Sequence, residues 1–302
     1  MAEKIKITFL GTSDAIPSAR RNHTSIFLNY AQENILIDCG EGTQRQFRKA
    51  KLNPCKLNKI LITHWHGDHV LGIPGLLQTL ALSDYKKVIY IYGPKGTKKY
   101  IEEIMKIFNF VRKYEIKVEE ILNKGKFFET SDFYLEAEQM EHGTPANAYN
   151  FVIKDKIRID KKKLKKLKIL EGPHLQQLKQ GKDIIYQGKK YKSKELTYFE
   201  KGKKISVVLD TAMNPKIEGF VKDADLFVCE SSFGSELEKE AGERMHMAVN
   251  QTANIAKKAK VKKLILTHIS SRYEKNLNQI LDEAKKIFKE SYLVKDFDSL
   301  EV

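Results

Sequence analysis

The sequence predicts an α/β protein in which two strand-and-helix halves flank a basic insertion. Three observations lead there. Short apolar runs alternate with stretches of helical period over residues 5–153, the same alternation returns over 205–289, and most of the excess positive charge lies between the two. Short apolar runs bounded by polar turns suit buried strands, whereas apolar residues three and four apart suit a helix covering a sheet.

In chain order, residues 5–10, 25–29 and 35–38 read as strands and 41–50 as a helix. Residues 59–63 are strand-like, 70–83 helical and 88–92 a strand. Residues 95–111 are helical, with Ile101, Ile104, Met105 and Phe108 at helical spacing, and 133–137 and 149–153 are strands. Beyond the insertion, 205–209, 226–229 and 264–267 are strands, and 248–260 and 273–289 are helices. The halves share a pattern and no sequence repeat. Sheets covered by helices place their chemistry in the loops that follow strand ends.

A chain of 302 residues can bury a sizeable core, and 41% hydrophobic residues with only 7 prolines exclude a disordered protein. Lys and Arg number 54 against 39 Asp and Glu, a net charge of +15 that favours a polyanionic partner. Residues 154–204 hold 17 Lys and Arg158 against six acidic side chains, or +12 of that total. No apolar run approaches the roughly 18 residues of a membrane span. Residues 1–11 have no apolar signal core, so a cytoplasmic protein without membrane contact is expected. Cys39, Cys55 and Cys229 are far apart, which argues against a disulfide framework or a thiolate zinc knuckle.

The densest chemistry is Ile60-Leu-Ile-Thr-His64-Trp-His66-Gly-Asp68-His69, where an apolar strand runs into four ligand-type side chains. In an extended turn, His64 and His66 fall on one side and can share a metal. Asp68 and His69, entering the next helix, point to a neighbouring position. Imidazole and carboxylate without thiolate suit zinc, with manganese or iron compatible on ligand type alone. His142 follows a strand, Asp210 ends Val207-Val-Leu-Asp and His268 ends Leu264-Ile-Leu-Thr-His. Together with the first cluster, these would complete two adjacent metal shells.

This His-x-His-x-Asp-His pattern with a distant His, Asp and His resembles the metallo-β-lactamase superfamily. Within it the chain is similar to the short-form ribonuclease Z family, through Phe9-Leu-Gly-Thr-Ser, Pro17-Ser-Ala-Arg-Arg-Asn, Asp38-Cys-Gly-Glu-Gly-Thr-Gln, Gly72-Ile-Pro-Gly-Leu-Leu and Thr267-His-Ile-Ser-Ser-Arg-Tyr. Arg244-Met-His246-Met-Ala resembles that family's extra histidine. Trp65 is bulky for its position, and Leu209 stands where glycine commonly precedes the aspartate.

The resemblance implies a single domain over 1–302, a four-layered αββα sandwich from which 154–204 protrudes as a basic arm. It implies two zinc ions, one on His64, His66 and His142, the other on Asp68, His69 and His268, with Asp210 between them. Asp68 and His246 are the implied catalytic residues, and Glu230 could orient His246. The implied reaction is cleavage of the 3′ trailer from precursor transfer RNA (tRNA), leaving a 3′-hydroxyl on the tRNA and a 5′-phosphate on the trailer. A homodimer is also implied.

Lys161, Lys162, Lys163, Lys165 and Lys166 surround apolar Leu164, Leu167, Ile169 and Leu170, a pattern that a solvated helix face would also give. The resemblance implies instead a tRNA-gripping arm, whose usual Gly-Pro motif Gly172-Pro173 fits, with lysines on the phosphate backbone. Arg20, Arg21 and Arg272 are further candidates for contact with the acceptor stem. The competing readings are a general metallo-β-lactamase-fold phosphodiesterase and a non-catalytic RNA-binding protein stabilised by zinc.

Overall fold

The computed structural model describes residues 4–108, 111 and 113–302, so positions 109 and 110 of the expected helix 95–111, and 1–3 of the expected signal-free start, lie outside the described residues. The first sheet begins with β1 (Lys6–Gly11), antiparallel to β2 (Ser25–Tyr30), which pairs antiparallel with β3 (Glu33–Ile37). Parallel strands β4 (Lys59–Leu61), β5 (Ile89–Gly93) and β6 (Ile116–Glu120) follow. Their connections carry α1 (Thr43–Lys49), α2 (Gly67–Val70), α3 (Ile73–Leu82) and α4 (Thr97–Ile107).

The second sheet starts with the meander β7 (Gly125–Glu129), β8 (Phe133–Met140) and β9 (Ala146–Ile153). The chain then forms β10 (Lys156–Ile159), α5 (Lys161–Lys166), α6 (Leu175–Lys179), β11 (Ile184–Tyr186), β12 (Lys189–Tyr191), α7 (Ser193–Leu196) and β13 (Thr197–Glu200). It returns to the sheet with β14 (Lys204–Val208), α8 (Lys216–Val221), β15 (Leu226–Glu230), α9 (Glu238–Glu243), α10 (Val249–Lys258), β16 (Leu264–Thr267), α11 (Leu277–Ile287) and β17 (Ser291–Leu293). Strands β14 to β17 are parallel, and β14 lies antiparallel to β9. The last strand, β18 (Ser299–Glu301), crosses back to pair with β1.

Side-chain alternation produces the four layers. Ile35 and Ile37 of β3, with Leu226 and Val228 of β15, point between the sheets. Leu36 faces the helices α1 and α3, while Phe227 and Cys229 face α8 and α10. Central strands such as β3 and β15 are therefore covered on both sides, which is why their sequences read as nearly unbroken apolar runs. Among the described residues, no helix is long and apolar enough to cross a membrane.

One expected helix is corrected. Residues 70–83 are interrupted between α2 and α3 because Gly72 donates to Cys39 O at 2.9 Å, and a Cβ there would sit 2.1 Å from Gly40 O. Within the insertion, α5 stops at Lys166. Lys168 turns left-handed with φ 55°, and Ile169 N–H returns to Leu164 O at 3.0 Å. Leu164 and Ile169 are thereby buried, but Leu167 and Leu170 of the same apolar pattern are exposed.

The inserted residues have their own apolar centre of Leu164, Ile169, Leu175, Leu178, Ile184 and Leu196. Their root is the β10/β13 ribbon, with Lys156 opposite Glu200, which prolongs the β9/β14 pair where Val152 faces Lys204.

Candidate metal centre

The ligand-type residues come together in loops at one end of both sheets. His64 follows β4, His66 caps α2, Asp68 and His69 lie on α2, and His142 leaves β8. Asp210, Glu230 and His268 come from the ends of β14, β15 and β16, and His246 from the loop before α10. Four ligand atoms of His64, His66, His142 and Asp210 lie within 4.8 Å of one another, as do those of Asp68, His69, Asp210 and His268.

The ring nitrogens face each other. His66 Nδ1 is 3.1 Å from both His64 Nε2 and His142 Nε2, and His69 Nε2 is 3.3 Å from His268 Nε2. Asp68 Oδ2 lies 3.1 Å from His69 Nε2 and 3.3 Å from His268 Nε2. Asp210 Oδ2 faces His64 at 3.6 Å and His69 at 3.5 Å, while Oδ1 is 3.2 Å from His268 Nε2. That Oδ1 is buried and makes no hydrogen bond, the His268 nitrogen being near it but outside bonding geometry. Nitrogens pointing at nitrogens beside an orphaned carboxylate oxygen are costly in a protein interior, and a shared cation removes the cost. The donor set therefore fits divalent metal.

Burial, reinforced by the neighbouring imidazoles, holds His64 and His66 below the ordinary histidine range, in the neutral form that ligates. Burial alone would raise Asp68, yet the His268 and His69 imidazoles beside it hold it below the usual carboxylate range. Burial would lower His246, but Glu230 beside it overrides this and pushes it up to about 9.

Outer partners aim the rings. Asp38 Oδ2 lies 2.6 Å from His69 Nδ1 and accepts from Thr63 Oγ1 at 2.6 Å, while Oδ1 accepts Thr63 N–H at 2.7 Å. His142 Nδ1 lies 3.0 Å from Met245 O, and His246 Nδ1 is 3.0 Å from Glu230 Oε2. Asp38, Met245 and His268 all have left-handed backbones, with φ of 55°, 58° and 53°. Such conformations are costly for residues with a Cβ and concentrate where a side chain must be aimed. Asp38 was visible only as part of a motif string. Thr63, Ser232 and the Met245 carbonyl carried no signal beyond lying next to ligand-type residues.

The other expected site residues lie elsewhere. Lys161, Lys162, Lys163, Lys165 and Lys166 are exposed on α5, with half-buried Gly172 and exposed Pro173 just beyond. All belong to the insertion, which roots at the strand ends opposite the metal centre. Arg20 is exposed, and exposed Arg272 lies over the Phe233 ring at 4.9 Å and pairs with Glu240 at 3.3 Å. Arg21 is corrected. It is 4% exposed, paired with Glu274 at 2.6 Å and donating to Ile269 O at 2.7 Å, so its guanidinium is engaged within the protein, where it braces two loops. Trp65, bulky between two ligands, is accommodated by turning towards α4, where its indole N–H donates to Thr97 Oγ1 at 2.9 Å.

A family model described as Anti-Pycsar protein Apyc1 matches residues 5–187 and ends before Asp210, His246 and His268. Ribonuclease Z of Methanosarcina mazei is 35% identical over 301 residues, covering 99% of this chain and 98% of that protein. The crystal structure of human tRNase Z, short form, has a TM-score of 0.72 at 25% identity and covers 98% of both chains. The metallo-β-lactamase fold protein YhfI from Bacillus subtilis, at TM-score 0.71 and 17% identity, covers 99% of this chain and 100% of that one and shows likeness of fold. The chain thus shares residues 5–187 with the Apyc1 family and belongs over its whole length to the ribonuclease Z family, as a hydrolytic endoribonuclease on the metallo-β-lactamase fold.

Proposed function

We propose that this chain removes the 3′ trailer from precursor tRNA with two zinc ions, leaving a 3′-hydroxyl on the tRNA and a 5′-phosphate on the trailer. The observation that carries this reading is the convergence of seven imidazole and carboxylate donors beside a separately held histidine, His246, which lies 3.0 Å from Glu230 and 3.9 Å from Asp210. His64, His66 and His142 would hold one ion and Asp68, His69 and His268 the other. Asp210, with an oxygen towards each group, would bridge them. Bound there, zinc would acidify a water and neutralise phosphodiester charge.

The protein's own groups do the rest. Asp68, its Oδ2 turned towards His69 and His268, takes the proton of the attacking water on its other oxygen. His246 is held by Glu230 at Nδ1 and presents Nε2 to the departing 3′ oxygen. Its raised pKa keeps a proton available there at neutral pH, as a general acid requires.

The exposed lysines of 154–204, with Gly172 and Pro173, would grip the tRNA backbone by charge and shape. Because the insertion roots at the end opposite its own centre, we take it to serve the centre of a second copy, in a homodimer. The test is cleavage of a 3′-extended tRNA with and without chelator, mapping the new 3′ end. Chelator-sensitive release of an intact trailer with a 5′-phosphate is expected. Cleavage of small phosphodiesters alone would favour a general phosphodiesterase, and tRNA binding without cleavage a non-catalytic RNA-binding protein.

A further inference from the structure

We propose that Ser232 is a positioning residue whose single hydroxyl ties metal-ligating His268 to the Glu230–His246 pair, an inference that rests on the reading of His246 as the general acid. Ser232 is 3% exposed, and its Oγ lies 2.7 Å from Glu230 Oε2, 3.0 Å from His268 Nδ1, 2.9 Å from His268 O and 3.5 Å from His246 Nδ1. A hydroxyl has one proton to give. The shortest contact is to a carboxylate and is charge-assisted, so the proton goes to Glu230. Oγ then accepts from His268 Nδ1–H, which leaves the Nε2 lone pair facing Asp68, Asp210 and His69. The opposite tautomer would put a proton where a metal belongs.

The same Glu230 oxygen faces His246 Nδ1 at 3.0 Å, and Glu230 Oε1 accepts Thr211 N–H at 2.6 Å. The carboxylate is thus pinned by Thr211 and Ser232 while it holds His246. The backbone completes the tie. Ser270 N–H donates to Ser232 O at 3.2 Å and Val249 N–H to Phe233 O at 2.8 Å, joining the loops that carry His268 and His246 to the end of β15. One hydroxyl therefore sets the tautomer of a metal ligand and the orientation of the acid's carboxylate.

The experiment uses the zinc-loaded full chain with Ser232→Thr and Ser232→Val, which have the same shape with and without the hydroxyl. Zinc affinity is measured by competition with a chromophoric chelator, and turnover is compared between precursor tRNA and bis(p-nitrophenyl) phosphate. The Thr variant should match the parent. The Val variant should bind zinc about 10- to 100-fold more weakly. At saturating zinc, it should lose more kcat on RNA than on the nitrophenyl ester, with KM for RNA unchanged.

Adding His246→Ala to Ser232→Val should leave the RNA-to-ester ratio at that of His246→Ala alone, while the loss of zinc affinity persists. Equal zinc affinity and equal ratio in the Thr and Val variants would overturn the proposal. A His246→Ala variant whose loss is the same on both substrates would overturn the general-acid reading instead, and the zinc comparison of Thr with Val would still decide the link to His268.

Discussion

Asp38, Asp210 and Glu230 are buried, and each carboxylate is met by imidazole or by N–H and O–H donors. The lysines of α5 stand in solvent, and the contact of Lys161 with Glu171 at 3.1 Å is between two exposed side chains. The metal centre thus uses charge that is desolvated and interlocked, drawn from positions spread between 38 and 268. The insertion uses charge that is local, hydrated and repeated. Interlocked groups fail together when one is removed, because a buried partner is left unpaired. Hydrated lysines contribute separately and are screened by salt.

The largest effect expected from this contrast is at the centre. His64→Ala should abolish turnover of both precursor tRNA and a small phosphodiester and remove at least one metal ion, as elemental analysis would show. Full activity and occupancy in that variant would break the contrast. Next, His246→Ala should keep its metals and lose about 10²- to 10⁴-fold in rate on RNA. A nitrophenyl phosphodiester, whose leaving group needs little protonation, should recover most of that loss.

Replacing residues 157–196 by a short linker should raise KM for precursor tRNA and flatten its salt dependence, since each lost phosphate contact removes about 0.9 from the slope of log K against log salt. Small-phosphodiester turnover should persist, because the metal centre lies outside the deleted span. Mixing this chain with His64→Ala should restore tRNA cleavage if the insertion serves a partner's centre. Loss of metal on deletion would instead make the insertion part of the core.

The smallest effects separate two adjacent arginines. Arg21→Ala should cost on the order of 1.5–3 kcal/mol in thermal or denaturant unfolding, for lost hydrogen bonds to a charged group, with RNA affinity unchanged. Arg20→Ala should leave stability alone and reduce the salt slope by about one contact.

The ligand-type residues stood out in the sequence because they follow apolar strands, as His64, His142, Asp210 and His268 do, or crowd into the short turn and helix beyond one, as His66, Asp68 and His69 do, where packing does not call for imidazole or carboxylate. The central strands were legible because both of their faces are covered, whereas β6 and β7, which alternate with exposed residues, were not. The charge imbalance of 154–204 was legible from composition. Arg21 was not. An arginine beside Arg20 in a polar loop reads as exposed until Glu274, far along the chain, is folded against it. Nor did the apolar pattern Leu164, Leu167, Ile169, Leu170 reveal its break, since the left-handed turn at Lys168 is set by burial of Ile169 in the insertion's own centre.

By itself, then, the sequence determined the alternation of strands and helices, the clustering of ligand-type side chains over 64–69 and the seat of the positive charge, because these depend on side-chain type and on periods of two and 3.6 residues within one segment. Only the tertiary structure decided that Asp38 aims His69 and that Ser232 lies between His268 and Glu230. It alone put the insertion at the opposite end from the centre. Those relations join residues whose separation along the chain bears no relation to their separation in space, and they exist only once the strands have paired and brought their ends together.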